Sequence, residues 1–212
     1  MRDICLIALN LTGSLPDVDA DLIGADKGAL ILARMGRHMK LAVGDFDSVS
    51  EEELDQIRCY ADETVILNPI KDDSDSEHAI KTAIERGYKH VILCGALGGR
   101  ADHTLVNMRL VYKYPGIVSI MDENNVVFAC REGNHVLKKD GMSYVSFFTL
   151  EEAVITLEGL YYRLTDRELT PLDLYTVSNE WTGDEAVLHV QKGTVLVIES
   201  RDHNNGNDQS KN

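Results

Sequence analysis

The chain predicts an α/β N-terminal domain with a mostly parallel sheet, followed by an all-β sandwich C-terminal domain. Up to residue 121, short apolar runs alternate with stretches of helical length, which is the pattern of βαβ units. Beyond about residue 123 the helical stretches stop, and short β-rich segments follow one another with turn signals between them, as in a sandwich or barrel. The expected divisions are 1–123, 124–200 and a polar, disordered tail at 201–212. A chain of 212 residues suits one large domain or two small ones.

In order, the first domain reads as a strand at 3–9 and a short strand at 22–23. Gly24-Ala-Asp-Lys-Gly28 follows, then a helix at 29–35 that stops at Gly36. A strand at 40–43 precedes a helix at 50–60 and a strand at 64–67. A polar loop, residues 68–77, feeds a helix ending near Arg86-Gly87. Within it Ser74-x-x-Glu77 forms a capping-box pattern that puts Asp75 in the first helical turn. A strand at 90–93, the loop 95–103, a helix to Tyr114 and a strand at 117–121 complete the unit. The second domain is expected to hold strands at 126–130, 135–137, 143–148, 152–157, 160–164, 186–191 and 194–199. Glu-Gly, Lys-Asp-Gly and Gln-Lys-Gly serve as turns.

Composition narrows the function. The net charge of −14 argues against nucleic acid or an anionic membrane as partner. No run of eighteen apolar residues is present, and residues 3–9 follow no basic leader, so neither a membrane span nor a signal peptide is expected. Cys5, Cys94 and Cys130 lie in apolar runs and Cys59 stands apart, as befits core residues of a reducing cytosol. The acid is uneven: 12 of the 35 Asp and Glu fall between Asp45 and Glu77, where Arg58 and Lys71 are the only basic residues. Glu51–Glu53 read as a solvated helix face; the rest sit at loop positions.

Leu41-Ala-Val-Gly-Asp-Phe-Asp-Ser48 is the most informative stretch. It reads as a buried strand closed by Gly44, with Asp45 and Asp47 at its carboxyl end, where open α/β sheets bind ligands. If the tip is extended, both carboxylates project to one side. At about 4 Å they repel by roughly 4 kcal/mol at an effective dielectric near 20, which a hard divalent cation offsets. The alternative is an Asp-Ser turn capping the helix that starts near Ser50. Gly24-x-Asp26-Lys27-Gly28 can bring backbone and a helix N-terminus to a phosphate, although such glycines also serve packing. Lys71-Asp72-Asp73-Ser-Asp75 adds carboxylates and a lysine. Gly98-Gly99-Arg100-x-Asp102-His103 adds a turn, a guanidinium, a carboxylate and an imidazole. Asp75 reads equally as a helix-dipole partner, and His103 as a structural residue. Carboxylates from three loops together with glycines and basic groups point to metal-bridged phosphate. No Walker phosphate loop, H-E-x-x-H or G-x-S-x-G occurs.

These residues resemble the thiamine pyrophosphokinase family. The resemblance rests on Gly24-Ala-Asp-Lys-Gly-Ala29, Gly44-Asp-Phe-Asp-Ser48, Lys71-Asp-Asp-Ser-Asp-Ser-Glu77, Gly95-Ala-Leu-Gly-Gly-Arg-Ala-Asp-His103 with Asn107, and Ser178-Asn-Glu180, in the family's order over nearly the whole chain. It implies a homodimer with sites built between subunits and diphosphate transfer from ATP to the hydroxyl of thiamine. It further implies Mg²⁺ on Asp45, Asp47 and Asp75 with Asp72 or Asp73 nearby. Gly24, Asp26, Lys27, Gly28, Lys71, Gly98, Gly99, Arg100, His103 and Asn107 would lie at the nucleotide. Asp102 would orient or deprotonate the alcohol, and Lys71 or Arg100 would neutralise charge on the phosphate. Ser178 and Asn179 would face thiamine. Two departures are Ser74, where Thr is more usual, and Trp181, where Phe is common; Trp181 would either stack on the cationic heterocycle or pack in the core. Competing readings are diphosphate transfer to another heterocyclic alcohol, such as a hydroxymethylpterin, or a non-catalytic nucleotide sensor.

Overall fold

The structure, a computed structural model, describes residues 2–68 and 73–202; the expectations for Lys71, Asp72 and residues 203–212 lie outside it. Two compact units divide the chain, one of residues 1–123 with 127–129, the other of 124–126 with 130–212.

In the first unit the strands are β1 (Ile4–Ala8), β2 (Asp21–Ala25), β3 (Leu41–Gly44), β4 (Thr64–Ile66), β5 (His90–Cys94) and β6 (Val118–Met121). They stand in the order β6-β5-β1-β2-β3-β4, and all five of these pairings are parallel. Parallel strands need crossovers, which α1 (Lys27–Arg34), α2 (Glu51–Tyr60), α3 (Asp75–Glu85) and α4 (Ala101–Lys113) supply. Leu6, Ala8 and Leu22 pack with Leu30, Leu32, Ala33 and Ile57 of α1 and α2 in one apolar cluster. Ile7 and Ile23, fully buried, alternate to the other side of the sheet. Each such side chain contributes about 1.5–3 kcal/mol. The helix starts follow their sequences. Ser50 and Glu53 form a reciprocal capping box. At α3 only half of the expected box forms: Ser74 accepts the Glu77 N–H at 3.2 Å. The Glu77 carboxylate is drawn instead to Lys113 at 2.6 Å and Lys81 at 3.4 Å.

The second unit is antiparallel in its pairings of β8 (Tyr144–Phe148), β9 (Ala153–Glu158), β10 (Leu164–Leu169), β11 (Asn179–Glu180) and β12 (Glu185–Ser200). Two sequence expectations fail here for one physical reason. Residues 126–130 and 135–137 belong to one strand, β7 (Asn125–Lys138), and 186–191 and 194–199 to β12. The Glu-Gly and Gln-Lys-Gly signals are not turns but irregular points within continuous strands. Gly193 has φ 84°, and the register shifts between Val190 and Lys192. Past that point β12 exchanges β9 for β8 as partner. The strand expected at 160–164 begins only at Leu164, with Leu160 making an isolated bridge to Trp181. At the start of the expected tail, the Arg201 N–H is still held by the Asn124 carbonyl at 3.0 Å.

Candidate active site

The parallel sheet sends the loops after β1, β2, β3 and β5 to one edge. Close backbone approach holds two of them together. The Asp26 N–H donates to the Val43 carbonyl at 2.9 Å, and a Cβ on Gly44 would lie 2.9 Å from the Asp26 Cα. Gly28 is tighter still, since a Cβ there would sit 1.9 Å from the Ala8 carbonyl oxygen. These glycines therefore serve packing, and that packing gathers the loops.

A cleft of about 160 Å³ results, lined by Asn10, Asp26, Lys27, Ser48, Asp75, His103 and Asn107 among others. Asp26 is its most unusual member. Its φ of 50° is rare for a residue with a Cβ, and its side chain makes no cap on α1. Among the described residues, its Oδ1 is buried and has no hydrogen-bond partner. Burial pushes its carboxyl above the usual range; the Lys27 N–H opposes this, and the charges of Asp75, Asp45 and Asp47 add to the rise. Four aspartates from three loops thus lie within electrostatic reach of one another.

The tip bearing Asp45 and Asp47 is not extended. Phe46 has φ 52° and is 5% exposed, anchored in the apolar cluster beside Leu30 and Ile57. Burying that ring turns the backbone, and Asp45 Oδ1 accepts the Asp47 N–H at 3.2 Å. Two non-glycine residues in the left-handed region on neighbouring loops store about 1–3 kcal/mol each. Asp73 is committed elsewhere, with both oxygens on Lys81 at 2.8 and 2.7 Å. Among the described residues, no group of three or more acidic, His or Cys side chains closes tightly enough to hold an ion.

The third loop is shaped by Thr104, whose hydroxyl donates to the Gly98 carbonyl at 3.1 Å. Asn107, 5% exposed, donates to the Ala96 carbonyl at 2.9 Å and so ties α4 to the loop. Arg100 and Asp102 form a two-point pair at 3.1 and 2.6 Å. That guanidinium, more than any other group, holds the Asp102 carboxyl down at about 2. A carboxylate so acidic is a hydrogen-bond acceptor at neutral pH and a poor proton acceptor.

In the second unit, Ser178 has φ 54° and is exposed, while Asn179 is 3% exposed. The Asn179 side chain accepts the Tyr162 and Glu180 N–H groups at Oδ1 and donates from Nδ2 to the Tyr162 carbonyl. Trp181 is half-buried, and its indole N–H has no partner among the described residues.

Asn10 lines the cleft but carries no motif, whereas Ser48 closes the Gly44-Asp-Phe-Asp-Ser48 stretch. Only its place just past the carboxyl end of β1 would have marked Asn10.

The family model described as "Thiamin pyrophosphokinase, catalytic domain" matches residues 18–121. "Thiamin pyrophosphokinase, vitamin B1 binding domain" matches residues 134–195. Thiamine pyrophosphokinase of Bacillus subtilis is 31% identical, over 95% of this chain and all of that one. The chain belongs to the thiamine pyrophosphokinase family. The Bacillus subtilis thiamine pyrophosphokinase crystal structure superposes with a TM-score of 0.82 at 30% identity, covering 94% of this chain and 99% of that one. A thiamin pyrophosphokinase family protein from Enterococcus faecalis gives 0.85 at 27% identity, with the same two coverages. The thiamine pyrophosphokinase catalytic segment contains Asp26, Asp45, Asp47, Asp75 and Arg100; the vitamin B1 segment contains Ser178, Asn179 and Trp181.

Proposed function

We propose that the chain transfers a diphosphate group from ATP to the hydroxyl of thiamine, giving thiamine diphosphate and AMP. Family membership supports the reaction. The observation that carries the site is Asp26, a half-buried carboxylate whose buried Oδ1 has no partner among the described residues, facing the charges of Asp45, Asp47 and Asp75.

Such a group of acids is costly until a cation joins it. The donors are hard, anionic oxygens with no thiol or imidazole among them, a set that fits Mg²⁺. Asp45, Asp47 and Asp75 would hold the ion, with Asp72 alongside. When bound, it supplies charge neutralisation to the polyphosphate and its leaving group.

The protein's own contribution is positioning. The backbone of Gly24, Asp26, Lys27 and Gly28 at the start of α1 receives phosphate oxygens. Lys71, Gly98, Gly99, Arg100, His103 and Asn107 complete the nucleotide side. Arg100 exchanges its Asp102 partner for phosphate, and the released Asp102 accepts the hydrogen bond of the thiamine hydroxyl and aligns it with the β-phosphorus. Ser178, Asn179 and Trp181 form the thiamine side. The strands of the second unit close as a β-sandwich, and the enzyme acts as a cytoplasmic homodimer.

Product analysis after incubation with ATP, Mg²⁺ and thiamine tests the reaction. AMP with thiamine diphosphate is expected. ADP with thiamine monophosphate would replace it with a single-phosphate transfer. AMP formed with a hydroxymethylpterin but not with thiamine would move the acceptor.

A further inference from the structure

Asp75 and Ser76, at the start of α3, line the cleft. Asp73, two residues earlier, is held by a cation of that same helix: both its oxygens accept from the Lys81 ammonium, at 2.8 and 2.7 Å. Lys81 also approaches Glu77 at 3.4 Å, and Glu77 in turn accepts from Lys113 of α4 at 2.6 Å. Anions and cations thus alternate in the order Asp73, Lys81, Glu77, Lys113, and the network joins α3 to α4. Those two helices bring Asp75 and Ser76, and His103 and Asn107, to the cleft.

Helix geometry separates the two aspartates. At 3.6 residues per turn, residues four apart share a face and residues two apart fall nearly opposite. Glu77 and Lys81 therefore occupy one side of α3, and Asp75 lies on the side away from Glu77. The network is not an ordinary surface pair, because its members are partly covered: the Glu77, Asp73 and Lys81 side chains are 17%, 30% and 39% exposed. Lys81, more than any other group, holds the Asp73 carboxyl below its usual range. With Ser74 capping the Glu77 N–H at 3.2 Å, the turn that leads into Asp75 is fastened at two consecutive residues.

We propose that Lys81 is a positioning residue for the metal-bound nucleotide: by clamping Asp73 against α3 it fixes the entry to the helix, so that Asp75 is presented to Mg²⁺. This rests on the metal-dependent reading above. Formation of AMP and thiamine diphosphate by the wild-type enzyme tests the reaction separately.

The test is calorimetric titration of the full chain with a non-hydrolysable ATP analogue, with and without Mg²⁺. Lys81→Met and Asp73→Ala each weaken binding in Mg²⁺ about tenfold and leave binding without Mg²⁺ within about twofold. In the combined variant the two effects overlap instead of multiplying, because Lys81 acts through Asp73. Lys81→Arg, which keeps the ion pair, retains wild-type binding. Wild-type affinity in Lys81→Met overturns the proposal. So does an equal loss with and without Mg²⁺, or full multiplication in the combined variant. Both side chains are partly exposed, so their replacement leaves the fold intact. The titration contains no thiamine, so it decides on Lys81 even if the wild type fails to form thiamine diphosphate.

Discussion

The two ends of strands β2 and β3 treat the same chemistry in opposite ways. Asp21 opens β2, is 6% exposed, and is fully served: it accepts the Tyr88 hydroxyl at 3.0 Å and the Arg2 N–H and guanidinium at 3.3 and 3.4 Å. Lys40, just before β3, is paired to Asp62 at 2.8 Å. At the far ends of those strands, Asp26 has an oxygen with no partner among the described residues, and Asp45 and Asp47 add their charges to its field. The larger cavity lies at the satisfied end, about 260 Å³ among Arg2, Arg37, His38 and Lys40, but volume is the wrong guide. Unmet polar demand, backbone strain and like charges collect where a ligand is to be bound, and the opposite edge supplies the stability to tolerate them.

Breaking the unsatisfied end should affect turnover most. Asp47→Asn is expected to lower kcat by about a thousandfold while the thermal midpoint stays unchanged. Near-normal turnover in Mg²⁺ would remove that aspartate from the site. Gly28→Ala attacks the packing that gathers the loops. It should cost about 3 kcal/mol in urea unfolding, because the Ala8 carbonyl cannot retreat without breaking the sheet.

Glu199 sharpens the comparison, being a buried carboxyl of the second unit. It is 6% exposed, and burial, with repulsion from Asp140, raises its carboxyl to about 7. The folded state therefore keeps this proton where the unfolded chain releases it, and stability falls as pH rises from about 4.5 to about 7. Glu199→Gln should abolish that slope and stabilise the protein at pH 8 by on the order of 2 kcal/mol, with the KM values unmoved. Denaturation curves at pH 5 and pH 8 check this. The smallest effect is expected at the satisfied end. Asp21→Ala strands Tyr88 and Arg2 and costs about 1–3 kcal/mol without changing kcat.

Much of the first unit was legible because strand and helix signals alternate without ambiguity, and the acidic loops stand out against an apolar background. The orphaned state of Asp26 was not legible. It arises from the approach of Gly44, a contact between segments eighteen residues apart, and the sequence shows Asp26 only as the middle of a glycine-flanked turn. The extended geometry assumed for Asp45 and Asp47 failed because the Phe46 ring packs into the core and turns the backbone. In the second unit, Gly133 and Gly193 were read as turns when they lie within long strands, since a bulge and a turn draw on the same residues. Asn179 stood out in the sequence within Ser178-Asn-Glu180, but its three bonds to neighbouring backbone did not.

The central claim is that the carboxylates at the cleft repel one another until a cation joins them. Thermal unfolding of the wild type and of Asp26→Asn, each with and without Mg²⁺ and a non-hydrolysable ATP analogue, tests it most directly. The account predicts that Asp26→Asn melts about 2–4 °C higher than wild type without ligand, and that the wild type gains the larger further increase when Mg²⁺ and analogue are added. An Asp26→Asn protein that melts lower than wild type, or a wild type indifferent to Mg²⁺ with the analogue, would contradict it.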